Sequence, residues 1–285
     1  MAALIEARGL CKRYGATAAL DNTSFSIEAG RIVGLIGPNG AGKTTALKAI
    51  LGLTPFEGGL SVLGRDPRRE RHELMQDVCF IADVAVLPRW IKVQQVLDMA
   101  DGVHPKFNKG KAKRFLSRTD IPMTAKVKTL SKGMVTQLHL ALVMAIDARL
   151  LVLDEPTIGL DIIYRKEFYS SLLNDYFDEE RTILVTTHQV EEIQNVLTDL
   201  LFINRGRIVL DCSMDEVAER YTEVLVGPEK IEQARALGPI YEQDTFGRKV
   251  LLFEAVGRAE LEQLGEARRP SISDLFVAKV KGGRA

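Results

Sequence analysis

Apolar and polar residues follow one another along this chain in short runs, which is typical of a protein that contains both strands and helices. Short apolar runs at 31–36, 150–153 and 182–185 predict strands that are buried on both faces of a parallel sheet. Residues 1 to about 60 predict short strands separated by turns, and residues 85 to about 145 have the apolar spacing of helices. The pattern therefore predicts an α/β fold with a mainly helical segment in its middle.

The pattern changes near Tyr221, after a predicted hairpin turn at 204–206. Beyond Tyr221 it predicts a strand, a helix, a strand and a last helix, at 222–226, 229–237, 249–254 and 271–281. We therefore predict two domains, a large one over residues 1–220 and a small α/β domain over residues 221–285.

Composition narrows the classes of protein that this chain can represent. The 285 residues include 38 basic and 38 acidic ones, and the formal net charge of +0 gives no electrostatic argument for a nucleic acid or an anionic membrane as partner. Cys11, Cys79 and Cys212 lack the paired spacing of a zinc site and suit a reducing cytosol. Residues 1–8 carry charge too early for a secretory signal, and the apolar run at 138–146 is shorter than the roughly 20 residues of a membrane span. We expect a cytoplasmic protein that does not itself cross a bilayer.

A cluster of arginines between residues 65 and 73 is interleaved with acids. The arginines are Arg65, Arg68, Arg69 and Arg71, and the acids are Asp66, Glu70 and Glu73. Because the acids neutralise the arginines, we interpret the cluster as a solvated helix face and not as a nucleic-acid site.

The stretch GPNGAGKTT follows the first apolar run and precedes a helical pattern. It matches G-x-x-x-x-G-K-[ST] through Gly37, Gly42, Lys43 and Thr44. Glycines allow backbone N–H groups to face a phosphate, and the start of a helix attracts anions. We therefore predict that Lys43 reaches the β- and γ-phosphates of a nucleotide, that Thr44 binds Mg²⁺ and that Thr45 faces the α-phosphate. The alternative is a glycine-rich turn without a ligand.

Two further runs end in side chains that suit phosphate chemistry. LLVLDE at 150–155 ends in Asp154, which we expect to hold Mg²⁺ through water, and Glu155, which we expect to polarise the attacking water. His188 follows the run at 182–187, and its imidazole can donate a hydrogen bond to the γ-phosphate. The alternatives are an ordinary polar turn and an ordinary histidine. The phosphate loop upstream favours the functional interpretation of both.

The motif LSKGM at 130–134 precedes a strongly helical stretch. The simple interpretation is that Ser131 caps this helix. The same geometry offers a second anion site, because the Ser131 hydroxyl and the first N–H groups of the helix are available to a phosphate. A chain with two such helix starts suggests that two copies share each nucleotide.

With these motifs in this order, the chain resembles the ATP-binding subunit of an ABC transporter over roughly residues 4–218. The matching residues are Tyr14 in CKRYG as the adenine-stacking aromatic, GPNGAGKT as Walker A, LSKGM as the signature, LLVLDE as Walker B, Asp161 in IGLD as the D-loop and His188 as the H-loop. Walker A then implies nucleotide contacts from Asn39 and Gly40 as well. The resemblance implies a P-loop NTPase cassette with a RecA-like mixed sheet, an N-terminal antiparallel β subdomain and a helical signature subdomain.

Two departures from the family pattern bear on the chemistry. The Q-loop glutamine of the family falls in FIADVAVLP, where this chain has Asp83, which we expect to meet Mg²⁺ through a water molecule. The signature has Lys132 for a glycine and Met134 for a glutamine, whereas Ser131 and Gly133 are retained. We expect Lys132 to point to solvent or to a partner chain.

The resemblance also implies partners. In a head-to-tail homodimer one copy supplies Walker A, Glu155 and His188, and the other supplies Ser131 and Gly133 to the same ATP. A membrane permease is expected to dock near Leu87, Pro88, Arg89 and Trp90, which places the subunit at the inner face of the cell membrane. The alternative for Trp90 is that it fills the core of the helical subdomain.

Two further features of the sequence bear on the direction of transport and on the class of ABC protein. The tail PSISDLFVAKV resembles the extension of subunits that pair with ABC-2 type export permeases, which favours an exporter. The alternative is a non-transport ABC ATPase that acts on ribosomes or DNA; such proteins generally carry two cassettes or a long coiled coil, whereas only about 85 residues separate Walker A from LSKGM here. A regulatory module without turnover is a third alternative, against which Glu155 and His188 argue.

Overall fold

The computed structural model describes residues 3–81, 87–157, 162–178, 180–187 and 190–281, apart from the side chains of Tyr164, Glu167 and Asp175. Within these ranges the strands are β1 (Ala3–Tyr14), β2 (Thr17–Glu28), β3 (Ile32–Ile36), β4 (Glu57–Val62), β5 (Val78–Ile81), β6 (Leu150–Asp154), β7 (Thr182–Thr187), β8 (Asp199–Asn204), β9 (Arg207–Ser213), β10 (Tyr221–Val226), β11 (Tyr241–Thr245), β12 (Arg248–Glu254) and β13 (Gly265–Arg268).

The α-helices in the same ranges are α1 (Lys43–Ile50), α2 (Arg71–Leu74), α3 (Val93–Val103), α4 (Lys109–Leu116), α5 (Lys132–Met144), α6 (Ile162–Ser171), α7 (Met214–Arg220), α8 (Ile231–Ala236), α9 (Arg258–Glu262) and α10 (Ile272–Lys281). A π-helical turn (Leu172–Tyr176) continues α6, and short 3₁₀ turns lie at Val127–Thr129, Val190–Glu192 and Pro228–Lys230. No helix in the described part of the chain has the length and apolarity to span a bilayer.

The central sheet determines where loops can converge. It has six strands in the order β5-β6-β7-β3-β8-β9, all parallel except β9, which runs antiparallel to β8. Strands β3, β6 and β7 are buried along their whole length because elements cover both faces of the sheet. The carboxyl ends of these neighbouring strands lie at one edge, so the loops after β3 and β6 meet there. The predicted strands at 31–36, 150–153 and 182–185 and the predicted hairpin are confirmed.

The first part of the chain forms a second, antiparallel sheet in the order β2-β1-β4. Its apolar side shares a core with α1 and one face of the central sheet, through residues such as Ile5, Leu20 and Leu47. Strands β1 and β2 have 12 residues each, which is longer than the predicted short strands. Register shifts such as the one between Ala7 and Leu10 break the alternation of apolar and polar residues, so the pattern conceals the true strand length.

Helices α3, α4 and α5 have a core of their own, as the helical spacing of 85–145 predicts. Its fully buried members include Val93, Leu97, Ala112 and Leu138. With Leu116 on α4 and Ala141 on α5, the buried residues recur three or four positions apart on each helix, so one face of each helix turns towards the shared core. The mainly helical character of this segment is confirmed.

The C-terminal part forms a four-stranded antiparallel sheet in the order β11-β12-β10-β13. One face of this sheet packs with α8 and α9 in a separate small core that contains Val224, Phe253 and Leu261. Strands β11 and β13 and helix α9 were absent from the expectation, because these short polar segments carry no clear periodicity. The last helix, α10, contributes to the core of the central sheet instead. The domain division at residue 220 stays a prediction.

The arginine cluster requires one correction. Arg65, Arg68 and Arg69 precede α2 and lie in a bridge and in turns, so the expectation of a helix face is wrong for them. Arg68 pairs with Asp66 at 2.8 Å, and Arg65 pairs with Asp77 at 3.3 Å. The turns form where Pro67 interrupts any helical pattern. Asp66 is one of the interleaved acids of the cluster, whereas Asp77 lies beyond it.

Candidate functional site

The phosphate loop connects β3 to α1, and its glycines are required by close backbone approaches. A Cβ atom on Gly37 would lie 2.3 Å from the carbonyl oxygen of Ile203. Gly42 has a φ of 112°, and a Cβ there would lie 2.4 Å from the carbonyl oxygen of Ala19. Larger residues at these two positions would therefore displace the loop from β2 and β8.

The turn between β8 and β9 also contacts the phosphate loop. The N–H of Gly206 donates to the carbonyl oxygen of Ala41 at 2.8 Å. The carbonyl oxygen of Gly206 accepts from the N–H of Asp21 at 2.9 Å and from the hydroxyl of Thr23. Gly206 thus links the phosphate loop to β2. Sequence reasoning identified only a hairpin turn here, because nothing local in the sequence indicates a contact with a loop far away in the chain.

Lys43 lies in the centre of this site and is only 7% exposed. Its ammonium group donates to the carbonyl oxygens of Gly37 at 2.7 Å and Pro38 at 3.4 Å. Burial lowers the pKa of Lys43, and the nearby carboxylates of Glu155 and Asp154 oppose that shift. A partly desolvated cation next to a glycine loop gains more from an anionic ligand than a solvated cation does.

The end of β6 brings both predicted acids to the same place. Asp154 is buried, and the hydroxyl of Thr186 on the adjacent strand β7 donates to its Oδ1 at 2.6 Å. Glu155 has a φ of 50°, and its N–H donates to the carbonyl oxygen of Thr186 at 3.1 Å and to its Oγ1 at 3.2 Å. Thr186 therefore fixes the orientation of Asp154 and the backbone turn at Glu155. Sequence reasoning missed Thr186, although a polar pair at the end of the apolar run 182–187 was a usable signal.

These groups surround one cavity of about 460 Å³. Its described lining residues are Ala19, Pro38, Asn39, Gly40, Ala41, Gly42, Lys43, Thr44, Thr45, Asp154 and Glu155. The cavity thus joins glycine-rich backbone, the start of a helix, one buried cation and two carboxylates. This combination suits a polyphosphate with a divalent cation.

Tyr14 lies at the margin of this site. Its side chain is 51% exposed, and its hydroxyl lies 3.5 Å from the Oγ1 of Thr54. The hydrogen bond with Thr54 lowers the pKa of Tyr14, and a weaker one with Thr45 acts in the same direction against the effect of desolvation. A stacking role for Tyr14 stays a prediction.

The signature motif at 130–134 is not among the described residues that line the phosphate-loop cavity. Ser131 is exposed, and its hydroxyl accepts from the N–H of Met134 at 3.2 Å, which makes it the N-cap of α5. Lys132 is exposed, in agreement with the expectation that it points to solvent or to a partner chain. Among the described residues around the phosphate-loop cavity, neither Ser131 nor Gly133 is present. The chain therefore carries its two helix starts at separate places.

Three predicted site residues, Asp83, Asp161 and His188, lie outside the described residues. The predicted docking region begins directly after the range 82–86, where Leu87 and Pro88 are half-buried and Arg89 is exposed. Trp90 is 73% exposed, so the alternative that it fills the helical core is wrong. A tryptophan at this position keeps both its apolar ring and its N–H available at the surface.

Comparisons with known proteins agree with this geometry. A family model described as ABC transporter matches residues 20–158. Nod factor export ATP-binding protein I of Burkholderia lata is 34% identical over 220 residues, which cover 73% of this chain and 70% of that protein. Daunorubicin resistance ATP-binding protein DrrA3 of Streptomyces coeruleorubidus is 29% identical over 296 residues, which cover 94% of this chain and 93% of that protein.

A solved structure gives the same answer for the fold. It is described as the structure of the ATP binding subunit of an ABC transporter, and it superimposes with a TM-score of 0.68 at 23% identity over 76% of this chain and 92% of that chain. This similarity confirms the expected cassette of a mixed central sheet, an antiparallel β sheet and a helical part. The identity to the Burkholderia relative, with which the family model agrees, shows that this chain belongs to the family of ATP-binding proteins of ABC transporters.

Proposed function

We propose that this chain is the ATP-hydrolysing motor of a bacterial export transporter and that two copies bind Mg²⁺-ATP head to tail while docked to a separate membrane permease. One observation carries the proposal. A buried lysine and two acids converge on a single glycine-walled cavity at the carboxyl ends of the parallel strands. That is the place where open α/β sheets bind ligands, and the groups there match the charge of a nucleoside triphosphate.

The residues fit a triphosphate for a physical reason. Backbone N–H groups of the loop and of the first turn of α1 provide donors without side-chain reorganisation. Lys43 adds one positive charge in a place where burial disfavours an unpaired ammonium. The γ-phosphate is therefore the natural partner of Lys43, in place of the loop carbonyls that accept its hydrogen bonds.

The residues also fit Mg²⁺. Within the described residues there is no group of three or more His, Cys, Asp or Glu side chains that could form a protein cage for a metal. Mg²⁺ does not need such a cage, because it keeps several waters and takes one or two protein ligands with the phosphates. Thr44 and Asp154 provide a hydroxyl and an oriented carboxylate, and Asp83 is expected to contribute through water. The bound ion supplies neutralisation of phosphate charge.

Glu155 is the proposed base for hydrolysis. Its carboxylate borders the cavity and accepts the proton of a water molecule whose oxygen attacks the γ-phosphorus. The bond between that phosphorus and the β-bridging oxygen breaks, so ADP and phosphate leave. The two hydrogen bonds from the Glu155 N–H to Thr186 fix the backbone turn that carries this side chain. His188 is proposed to donate a hydrogen bond to the γ-phosphate, as in the family.

The position of the signature supports a homodimer. Ser131 and Gly133 do not border the cavity of their own chain among its described residues, so a second copy has to supply them. The start of α5 is exposed and carries N–H groups that suit the terminal phosphate. Asp161, directly before α6, is proposed to act in the same interface.

Export and membrane attachment are supported by the relatives, by the tail and by the surface around Trp90. The names of two relatives refer to Nod factor export and to daunorubicin resistance, and the tail PSISDLFVAKV suits an ABC-2 type partner. The exposed ring of Trp90 offers an apolar contact next to Leu87 for a permease helix. This docking would place the chain on the inner face of the cell membrane, in contact with the cytoplasm.

The decisive experiment is an ATPase assay with the purified chain alone, with membranes that contain its candidate permease, and with ribosomes or DNA. We expect hydrolysis that the membranes stimulate, together with a crosslink from a photoreactive residue at position 89 to the permease. Stimulation by ribosomes or DNA without any crosslink would favour the non-transport alternative. Nucleotide binding without hydrolysis under all conditions would favour a regulatory module.

A further inference from the structure

The last helix connects the C-terminal sheet to the core of the ATPase. Ile272, Leu275 and Ala278 on α10 are buried in the cluster that surrounds the central sheet. Val190 and Ile193 belong to the same cluster. Helix α10 therefore packs directly against the 3₁₀ turn Val190–Glu192.

Two polar contacts hold this turn, one from α10 and one from α6. The hydroxyl of Ser273 on α10 donates to the carboxylate of Glu191. The guanidinium group of Arg165 on α6 donates to the carboxylate of Glu192, and these two side chains are 23% and 28% exposed. The turn thus bridges the C-terminal helix and the helix that follows Asp161.

Helix α10 is itself fixed to the C-terminal sheet. Lys279 pairs with Glu254 of β12 at 2.7 Å, and the hydroxyl of Tyr221 donates to the same carboxylate at 2.8 Å. The ammonium group of Lys279 also lies 4.9 Å from the centre of the Tyr221 ring. A displacement of this sheet would therefore be transmitted to α10 and from α10 to the turn.

The location of the turn gives these contacts a functional consequence. Val190 follows His188 by two residues. The turn is short. The N–H groups of Ile193 and Gln194 both donate to the carbonyl oxygen of Val190, at 3.1 Å and 2.9 Å. These two bonds lie within the turn and its continuation, whereas the side-chain contacts from Ser273 and Arg165 link the turn to α10 and α6.

We propose that Ser273 and Glu191 are positioning residues through which the C-terminal helix sets the placement of the segment after His188 for hydrolysis. This inference rests on the proposed function, because it assigns His188 to the γ-phosphate. In this proposal the C-terminal sheet regulates ATP hydrolysis through α10. The contact between Ser273 and Glu191 affects the rate of turnover and not the affinity for ATP, because neither residue borders the phosphate-loop cavity in the described part of the chain.

The test is steady-state ATPase kinetics on the full-length chain, with the permease present. We expect Ser273→Ala and Glu191→Ala each to lower kcat about threefold to tenfold, since each removes one hydrogen bond to a charged group, while KM for ATP stays within about twofold. The double variant should be no slower than either single variant, because both changes remove the same contact. Ser273→Thr and Glu191→Gln keep a donor and an acceptor and should restore most of the rate.

Ser271→Ala is the matched control. The Ser271 hydroxyl accepts the N–H of Asp274 at 3.0 Å at the start of α10 but does not contact Glu191. This variant should lower the melting temperature and leave kcat unchanged. A wild-type kcat in Ser273→Ala, or an equal loss in Ser271→Ala, would overturn the inference while wild-type hydrolysis remained intact. Absence of hydrolysis by the wild type with its permease would instead end the proposed function, and this inference with it.

Discussion

The starts of α1 and α5 are both candidates for binding phosphate, but the structure builds them differently. The start of α1 lies in a cavity with glycine walls, a buried Lys43 and two carboxylates. The start of α5 lies at the surface, where the hydroxyl of Ser131 caps its own helix. The first is a site within one chain, whereas the second is only a surface that requires a ligand held by another molecule. In an ATP-dependent dimer the cavity of one chain holds the ATP and the start of α5 of the other chain contacts it, so the proposed dimer uses both helix starts.

The largest effect that we predict tests the complete site. Glu155→Gln keeps the shape of the side chain but removes the base, so ATP hydrolysis should fall about 10²- to 10⁴-fold while ATP binding persists. A dimer should then accumulate with ATP, because the shared phosphate is no longer cleaved. Phosphate release and light scattering on a sizing column measure the two effects. Glu180→Gln, an exposed change on another loop, is the control; hydrolysis at the wild-type rate in Glu155→Gln would remove this residue from its role.

The second prediction separates the two possible roles of Ser131. Ser131→Asp should keep the helix cap, since aspartate is a good N-cap and suits the positive end of a helix. Its negative charge would oppose the γ-phosphate of the partner's ATP, so we expect ATPase activity to fall at least about tenfold. Dimer formation in the Glu155→Gln background should be lost, whereas the melting temperature and the ATP affinity of the monomer should be unchanged.

A matched control for this change lies at the start of α4. The side chain of Asn108 accepts the N–H of Lys111 at 2.8 Å as an N-cap, so Asn108→Asp makes a comparable change away from the site. We expect normal dimerisation and ATPase activity in this control. A Ser131→Asp chain that dimerised normally with ATP would reduce the motif to helix capping.

The third prediction concerns Thr186, which orients the proposed Mg²⁺ ligand Asp154. Thr186→Val preserves shape and removes the hydroxyl that donates to Asp154 at 2.6 Å. Loss of such a supporting contact typically costs about 10- to 100-fold in metal affinity or activity, so the Mg²⁺ concentration for half-maximal ATPase should rise. Thr186→Ser keeps the hydroxyl and should remain near the wild type. An unchanged Mg²⁺ dependence in Thr186→Val would contradict the role of this contact.

Site residues that belong to a contiguous motif could be predicted from the sequence, whereas those that act through long-range contacts could not. Lys43, Thr44 and Asp154 could be placed because each belongs to a short motif with a fixed relation to a strand or a helix. Thr186 and Gly206 could not be placed, because they act on residues of other strands through the register of the folded sheet.

The strands of the fold also differ in how far the local sequence predicts them. The buried parallel strands could be predicted from continuous apolar runs, whereas β11 and β13 could not. Both are short strands at the edges of the C-terminal sheet, and most of their residues are polar and exposed. The surface position of Trp90 was equally inaccessible, because the sequence alone does not distinguish a docking aromatic from a core aromatic.

The smallest effect that we predict tests how the β8–β9 turn supports the phosphate loop. Gly206 has a φ of 73°, and a Cβ atom there would lie 2.8 Å from the carbonyl oxygen of Ala19. We expect Gly206→Ala to lower the free energy of unfolding by about 1 to 3 kcal/mol from backbone strain. We also expect KM for ATP to rise severalfold, because Gly206 bonds to Ala41 within the loop.

Gly247 provides the comparison that isolates this second effect. It occupies the equivalent position in the hairpin between β11 and β12, with a φ of 78° and no atom within 4 Å of an added Cβ. Gly247→Ala should therefore carry the same strain in the backbone without disturbing ATP binding. If both variants lose stability but only Gly206→Ala changes KM, the turn supports the loop by contact. Equal KM values would mean that the loop holds its shape through its own glycines and β2, and that the hairpin contributes stability alone.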